Sequence, residues 1–80
     1  MPEKITDSVS LARRGVKELA IEVKALMKHE QLIAEDLPET ADAGEMRANV
    51  MLAYRHLEDA AMRLGKVLQA YDGGTSVYDK

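Results

Sequence analysis

The spacing of apolar residues in the second half of the chain constrains the fold more than any other feature. Between residues 50 and 71 the apolar positions recur at alternating steps of three and four. Such spacing gives an α-helix one apolar stripe and is typical of the seam between two antiparallel helices. We therefore predict a long helix over about residues 44–71, whose seam comprises Val50, Ala53, Leu57, Ala60, Leu64, Val67 and Tyr71.

The first half of the chain predicts the partner helix. From residue 16 its apolar residues recur mostly at steps of three and four, which indicates a long helix over about 16–34. Gly15 costs a helix interior about 1 kcal/mol relative to alanine, so we place a hinge there, after a short first helix at about 6–14. The apolar face of the long helix comprises Leu19, Ala20, Val23, Leu26, Met27 and Ile33.

The ends of the second long helix carry local signals. Residues 35–43 contain Pro38 and small or acidic residues, which predicts a loop. Asp42 precedes Glu45 by three residues, a pattern that predicts a helix start near residue 43. Gly73 and Gly74 predict the helix stop, followed by a tail over 72–80. The expected fold class is all-α: one domain over 1–80, an antiparallel helical hairpin with a short N-terminal helix.

The small size of the chain predicts self-association. A chain of 80 residues buries only about 60% of the surface that its unfolded form exposes. It has no cysteine for disulfides and only two histidines, so a metal-stabilised fold is not expected. Met51, Leu52 and Met62 project away from the predicted seam, and we predict that they form a homo-oligomer interface.

Charge and hydropathy exclude some partners. The net charge of −3 argues against binding of a DNA or RNA polymer, although a small anion needs only a local cluster of cations. The longest apolar run falls far short of the roughly 20 residues that span a bilayer, and the amino-terminal residues do not resemble a signal peptide. We therefore expect a cytoplasmic protein without a membrane partner.

Three cations of the second long helix form the candidate anion site. Arg55 and Lys66 lie within about 20° of one another around the helix, and Arg63 lies roughly 60° to 80° further round. Arginine and lysine can hold a phosphate by charge-assisted hydrogen bonds. Asp59 lies four residues from both arginines, however, so a surface of ordinary ion pairs is the alternative interpretation.

The three tyrosines and the glycine pair are further ligand candidates. A nucleobase could stack on Tyr54 or Tyr78, whereas Tyr71 continues the apolar seam and is expected in the core. Gly73, Gly74 and the adjacent Thr75 could present N–H and hydroxyl groups to a phosphate. A plain helix stop also explains both glycines.

The segment LAYRHLEDAAMRLGKVL at residues 52–68 and the hairpin around it at 16–70 resemble the hairpin family of phage anti-CBASS and Thoeris anti-defence proteins. The compact, wholly helical anti-CBASS branch is the closer resemblance. The resemblance implies a helical hairpin that assembles, commonly as a hexamer, and sequesters cyclic dinucleotides, cyclic trinucleotides or glycocyclic ADP-ribose without cleaving them. It implies phosphate contacts from Arg55, Arg63 and Lys66, packing by Leu57, Leu64 and Gly65, and pockets between subunits.

These observations lead to an expected function and two alternatives. We expect a phage-type immune-evasion protein that works as a cyclic-nucleotide sponge in the host bacterial cytoplasm, with no enzyme activity, metal or cofactor. One alternative is a helical protein-interaction or assembly factor with no nucleotide ligand. The other is a Mg²⁺-dependent nucleotide pyrophosphatase, whose metal ligands would be Glu18, Glu22, Glu58 and Asp59.

Overall fold

The computed structural model describes residues 4–34 and 36–73, and in these residues it shows helices and their connections but no strand. Helix α1 covers Ile5–Ala25, a 3₁₀ turn covers Leu26–Lys28, α2 covers Glu30–Ala34 and α3 covers Ala43–Tyr71. Helices α1 and α3 pack against each other as an antiparallel pair. The predicted all-α hairpin is therefore confirmed.

The break in the first half of the chain lies later than the sequence predicts. Helix α1 runs without interruption through Gly15, so the separate helices at 6–14 and 16–34 and the hinge at Gly15 are wrong. Gly15 is exposed and a methyl group there would meet no atom within 4 Å, so the helix needs no break at this position. Its entropic cost of about 1 kcal/mol is small against the packing of the whole helix on α3.

The chain bends instead at His29, whose backbone is extended with φ −61° and ψ 137°. The His29 N–H donates to the carbonyl oxygen of Leu26, which closes the 3₁₀ turn. The ring nitrogen Nδ1 of His29 accepts from the N–H of Gln31 at 3.2 Å, so this side chain occupies one free donor at the start of α2. The helix predicted over 16–34 is therefore divided in two by the 3₁₀ turn, and α2 is a separate helix that begins at Glu30.

Helix α3 has the boundaries that its capping residues predict. The Asp42 carboxylate accepts from the N–H of Glu45 at 3.0 Å, which satisfies one of the orphan donors of the first turn. The Glu45 side chain does not complete a capping box but accepts from the Asn49 amide at 3.1 Å. At the other end Gly73 has φ +82°, a conformation that glycine adopts without strain.

The seam between α1 and α3 is rotated from the predicted one by roughly half a residue, about 50° around α3. From α3 the half-buried or buried positions include Val50, Leu57 and Leu64 as expected. The other inward-facing positions of α3 are Tyr54, Ala61 and Leu68. Three residues of the predicted seam are exposed instead: Ala53, Val67 and Tyr71. In the first half of the chain Ala20, Val23 and Met27 face inward, and Leu19, Leu26 and Ile33 are exposed.

The rotation has a simple cause, because the apolar arc of each helix is wider than one partner helix can cover. The hairpin is also elongated: its radius of gyration is 17.4 Å, against about 12 Å for a compact domain of this length. Among the described residues only Val9, Ala20, Leu32 and Ala61 are buried apolar residues. A single hairpin therefore has a small core, and no helix among the described residues is long and apolar enough to cross a membrane.

Candidate ligand-binding groove

A groove of about 530 Å³ lies along one side of the α1–α3 pair. Its floor is apolar and includes Ala20, Leu57 and Ala61 from the seam. Ile21 of α1 and Met62 of α3 form its apolar walls and are mostly or half exposed. A volume of this size lies within the range of small-molecule sites in proteins, which combine apolar walls with a few polar groups.

Cations from both helices line this groove. Lys17 lies on α1 and Lys66 on α3, and neither forms a salt bridge or hydrogen bond with any part of the chain that the structure describes. Arg13 of α1 is a third lining cation, and Glu58 and Asp72 are lining carboxylates. Among the lining residues that the structure describes there are thus three cations and two carboxylates, a balance that suits an anionic occupant.

Arg13 is held in place by the other helix. Its Nε donates to the carbonyl oxygen of Ala61 at 3.0 Å, in a partly buried hydrogen bond across the seam. Gly65 lies beside this contact, on the turn of α3 that follows Ala61. A Cβ at position 65 would lie 3.4 Å from Arg13 Nε. The guanidinium is thus positioned before any ligand arrives.

Tyr54 lines the groove about three turns of α3 before Gly65. Its hydroxyl donates to the Glu58 carboxylate at 3.1 Å, and Lys24 Nζ lies 5.0 Å from the centre of its ring. The hydrogen bond to the Glu58 carboxylate, with lesser contributions from burial and from the negative charge, raises the pKa of Tyr54 above its ordinary value of 10.0. Tyr54 therefore presents a neutral phenol and an aromatic face to the groove.

The structure brings together only some of the site residues that the sequence predicts. Lys66 and Tyr54 line the groove, but Arg55 and Arg63 do not. Arg63 Nε lies 3.8 Å from an oxygen of Asp59, in an exposed ion pair on the outer surface of α3. The sequence offers ordinary ion pairs with Asp59 as the alternative to an anion site, and for Arg63 the structure agrees with that alternative. Thr75 and Tyr78 lie outside the described residues.

Only two of the three predicted oligomer residues, Met51 and Met62, lie on the same side of α3, since eleven residues bring a helix back to within about 20° of its starting direction. Met62 is a wall of the groove and is 49% exposed, Leu52 is 50% exposed on the side of α3 that faces away from α1, and Met51 is half-buried. Their role in an oligomer stays a prediction.

The sequence does not predict Arg13, Lys17 or Lys24 as site residues, because they lie on α1 and only the packing of α1 on α3 brings them close to Tyr54 and Lys66. One signal was available for Arg13: it stands between Val9 and Val16 at the three- and four-residue spacing of the seam, where a charged residue is unusual.

The acidic residues are arranged differently from a metal centre. Glu58 accepts from Tyr54 in the groove, and Asp59 pairs with Arg63 on the outer surface. Over residues 4–34 and 36–73 no three histidine or acidic side chains form a group that could hold a metal ion.

Comparison with protein-family models found no match, and neither did comparison with curated proteins or with solved structures.

Proposed function

We propose that this protein binds a cyclic nucleotide signal in the groove and sequesters it without cleaving it. The observation that carries the proposal is the arrangement of Lys17 and Lys66 on opposite sides of an apolar floor, with Arg13 fixed beside them and Tyr54 at one end. This arrangement suits a ligand that combines phosphates with flat, apolar faces. The resemblance to anti-CBASS and Thoeris anti-defence hairpins supports a cyclic nucleotide as that ligand, and hence a role in immune evasion.

Each part of the groove has a separate task in this proposal. The ammonium groups of Lys17 and Lys66 bind phosphate oxygens, and their mutual repulsion falls when the anion arrives. Arg13 keeps its hydrogen bond to the carbonyl oxygen of Ala61 and adds positive charge near the floor of the groove. A base packs against Tyr54, Ile21 or Met62, since stacking on an aromatic ring contributes about 1–3 kcal/mol per base.

The proposal requires no chemical step on the ligand. A cyclic nucleotide held by charge and packing is released intact when the protein is denatured. The test is therefore a calorimetric screen of cyclic dinucleotides, cyclic trinucleotides and cyclic ADP-ribose isomers, followed by chromatography of the ligand recovered from the denatured complex. Recovery of hydrolysed nucleotide that depends on Mg²⁺ would instead support the pyrophosphatase alternative.

Two matched variants separate the groove from the outer surface of α3. Lys66→Gln removes a cation of the groove and should weaken binding roughly ten- to hundredfold, the effect of losing a charged hydrogen bond. Arg63→Gln removes a cation of the outer surface and should change the affinity less than twofold, about 0.4 kcal/mol. Equal losses in the two variants would instead place the phosphates on the helix stripe of Arg55, Arg63 and Lys66 that the sequence predicts.

The exposed apolar residues favour a second candidate, a protein-interaction factor with no nucleotide ligand. Leu11 and Ile21 of α1 are 63% and 70% exposed, and their burial against a partner protein would be favourable. The calorimetric screen distinguishes the two candidates, because an interaction factor would bind none of the cyclic nucleotides.

A further inference from the structure

The side of the hairpin opposite the groove carries an uncharged apolar surface. On α1 and its 3₁₀ turn an apolar residue recurs every seventh position, and the same spacing recurs on α3. Seven residues fall only about 20° short of two helical turns, so each set forms a nearly straight stripe. We define the uncharged face as these two stripes together with Tyr71, which follows Val67 by four residues on the same side of α3; it comprises Ile5, Ala12, Leu19, Leu26, Met46, Ala53, Ala60, Val67 and Tyr71.

The two stripes lie on the same side of the hairpin. In each helix the stripe is displaced by roughly 70–80° from the seam, in the same rotational sense. Since α1 and α3 are antiparallel, equal displacements bring the stripes to one side. The end of the hairpin agrees with this placement, because Ile5 lines a shallow cleft of about 270 Å³ with Val67 and Tyr71.

Exposure and charge make this side unlike the rest of the surface. Its larger side chains are 43% to 66% exposed, although burial would be favourable for each of them. The intervening positions 8, 16, 23, 49, 57 and 64 hold no charged residue either. By contrast, the groove side carries Lys17, Glu58 and Lys66.

We infer that the uncharged face is covered by the same face of a second copy of this chain. A surface without charge of either sign is complementary to itself, because a two-fold axis brings no like charges together. Two such hairpins would form a four-helix arrangement whose new core contains both pairs of stripes. A copy of the chain is also the one partner that is always present at equal concentration, and the small core of a single hairpin needs such help.

The area of the face is sufficient for a stable pair. The six larger residues expose roughly 600 Å² per hairpin, so a pair that covered them fully would bury at most about 1,200 Å², against the roughly 1,000 Å² expected of a biological interface. The groove lies on the opposite side, so both grooves of the pair stay open. This association needs no ligand, and it differs from the interface at Met51, Leu52 and Met62 that the sequence predicts.

Light scattering on the full chain without ligand tests the inference, with Leu19→Glu as the probe and Leu11→Glu as its matched control. Both substitutions place a carboxylate on α1 at an exposed leucine, 47% and 63% exposed respectively, but only Leu19 belongs to the uncharged face. The parent and Leu11→Glu should have at least twice the 8.9 kDa chain mass, and Leu19→Glu should approach that mass itself.

The helical circular dichroism of each variant shows whether it folds. If Leu19→Glu does not fold, Ala53→Glu makes the same test from α3. A monomeric parent protein, or a folded Leu19→Glu or Ala53→Glu variant with the mass of the parent, would overturn the inference. If the parent protein has at least twice the chain mass but binds no cyclic nucleotide, the inferred pairing stands and only the proposed function is contradicted.

Discussion

At the scale of single residues, the hydrogen bond from Arg13 to the Ala61 carbonyl explains the position of a groove cation. The Arg13 side chain also passes Gly65, where a Cβ would lie 3.4 Å from its Nε, an ordinary van der Waals distance. The sequence alone could not pair these residues, because 48 positions separate Arg13 from Ala61 and only the register of the two helices brings them together. Lys66 and Tyr54 were predictable because both lie on the helix with the stronger pattern.

Tyr54 gives a pH-dependent prediction at this scale. The Glu58 carboxylate accepts the phenol hydrogen and so stabilises the protonated form, which raises the pKa of Tyr54. Glu58→Gln removes the charge and should return the pKa of Tyr54 toward 10.0, as followed by NMR of its ring signals during an alkaline titration. Asp59→Asn is the control and should leave the pKa of Tyr54 unchanged. A Tyr54 pKa that is the same in all three proteins would contradict the hydrogen bond.

At the scale of helices, local signals were more reliable than long-range ones. Asp42 and Gly73 determine the ends of α3 through their own backbone and side-chain chemistry, so both ends were predicted correctly. The break at His29 depends on a ring nitrogen that caps the next helix, a role that histidine seldom signals in a sequence. The seam was offset because residues such as Ala53 and Val67 continue the apolar pattern onto a face that α1 does not cover.

The continuity of α1 makes Gly15→Ala a stabilising substitution. The added methyl group meets no atom within 4 Å, and alanine favours the helix by about 1 kcal/mol over glycine. The melting temperature, followed by circular dichroism at fixed protein concentration, should therefore rise by roughly 4–8 °C.

Gly65→Ala is the matched comparison for this substitution. It should raise the melting temperature by a similar amount, because its methyl group would make only ordinary van der Waals contacts with Arg13, the nearest at 3.4 Å from Nε. A Gly15→Ala variant that melts at or below the temperature of the parent would show that residue 15 is not inside a continuous helix.

At the scale of the whole molecule, the hairpin has two sides of different chemistry. One side carries the groove with Lys17, Lys66 and Tyr54, and the other is the uncharged face. In the two proposals a ligand and a second copy would therefore use different sides of a thin protein, 54 × 31 × 18 Å in extent. Neither function would occupy the surface that the other requires.

Ligand mapping by NMR tests the central claim most directly. The ¹⁵N-labelled protein is titrated with the panel of cyclic nucleotides, and the shifts of the backbone amides locate the contact. We predict that at least one cyclic nucleotide shifts the amides of Lys17, Ile21, Tyr54 and Lys66, while those of the uncharged face change little. Shifts centred on Arg55 and Arg63, or no shift at the groove with any member of the panel, would contradict the account.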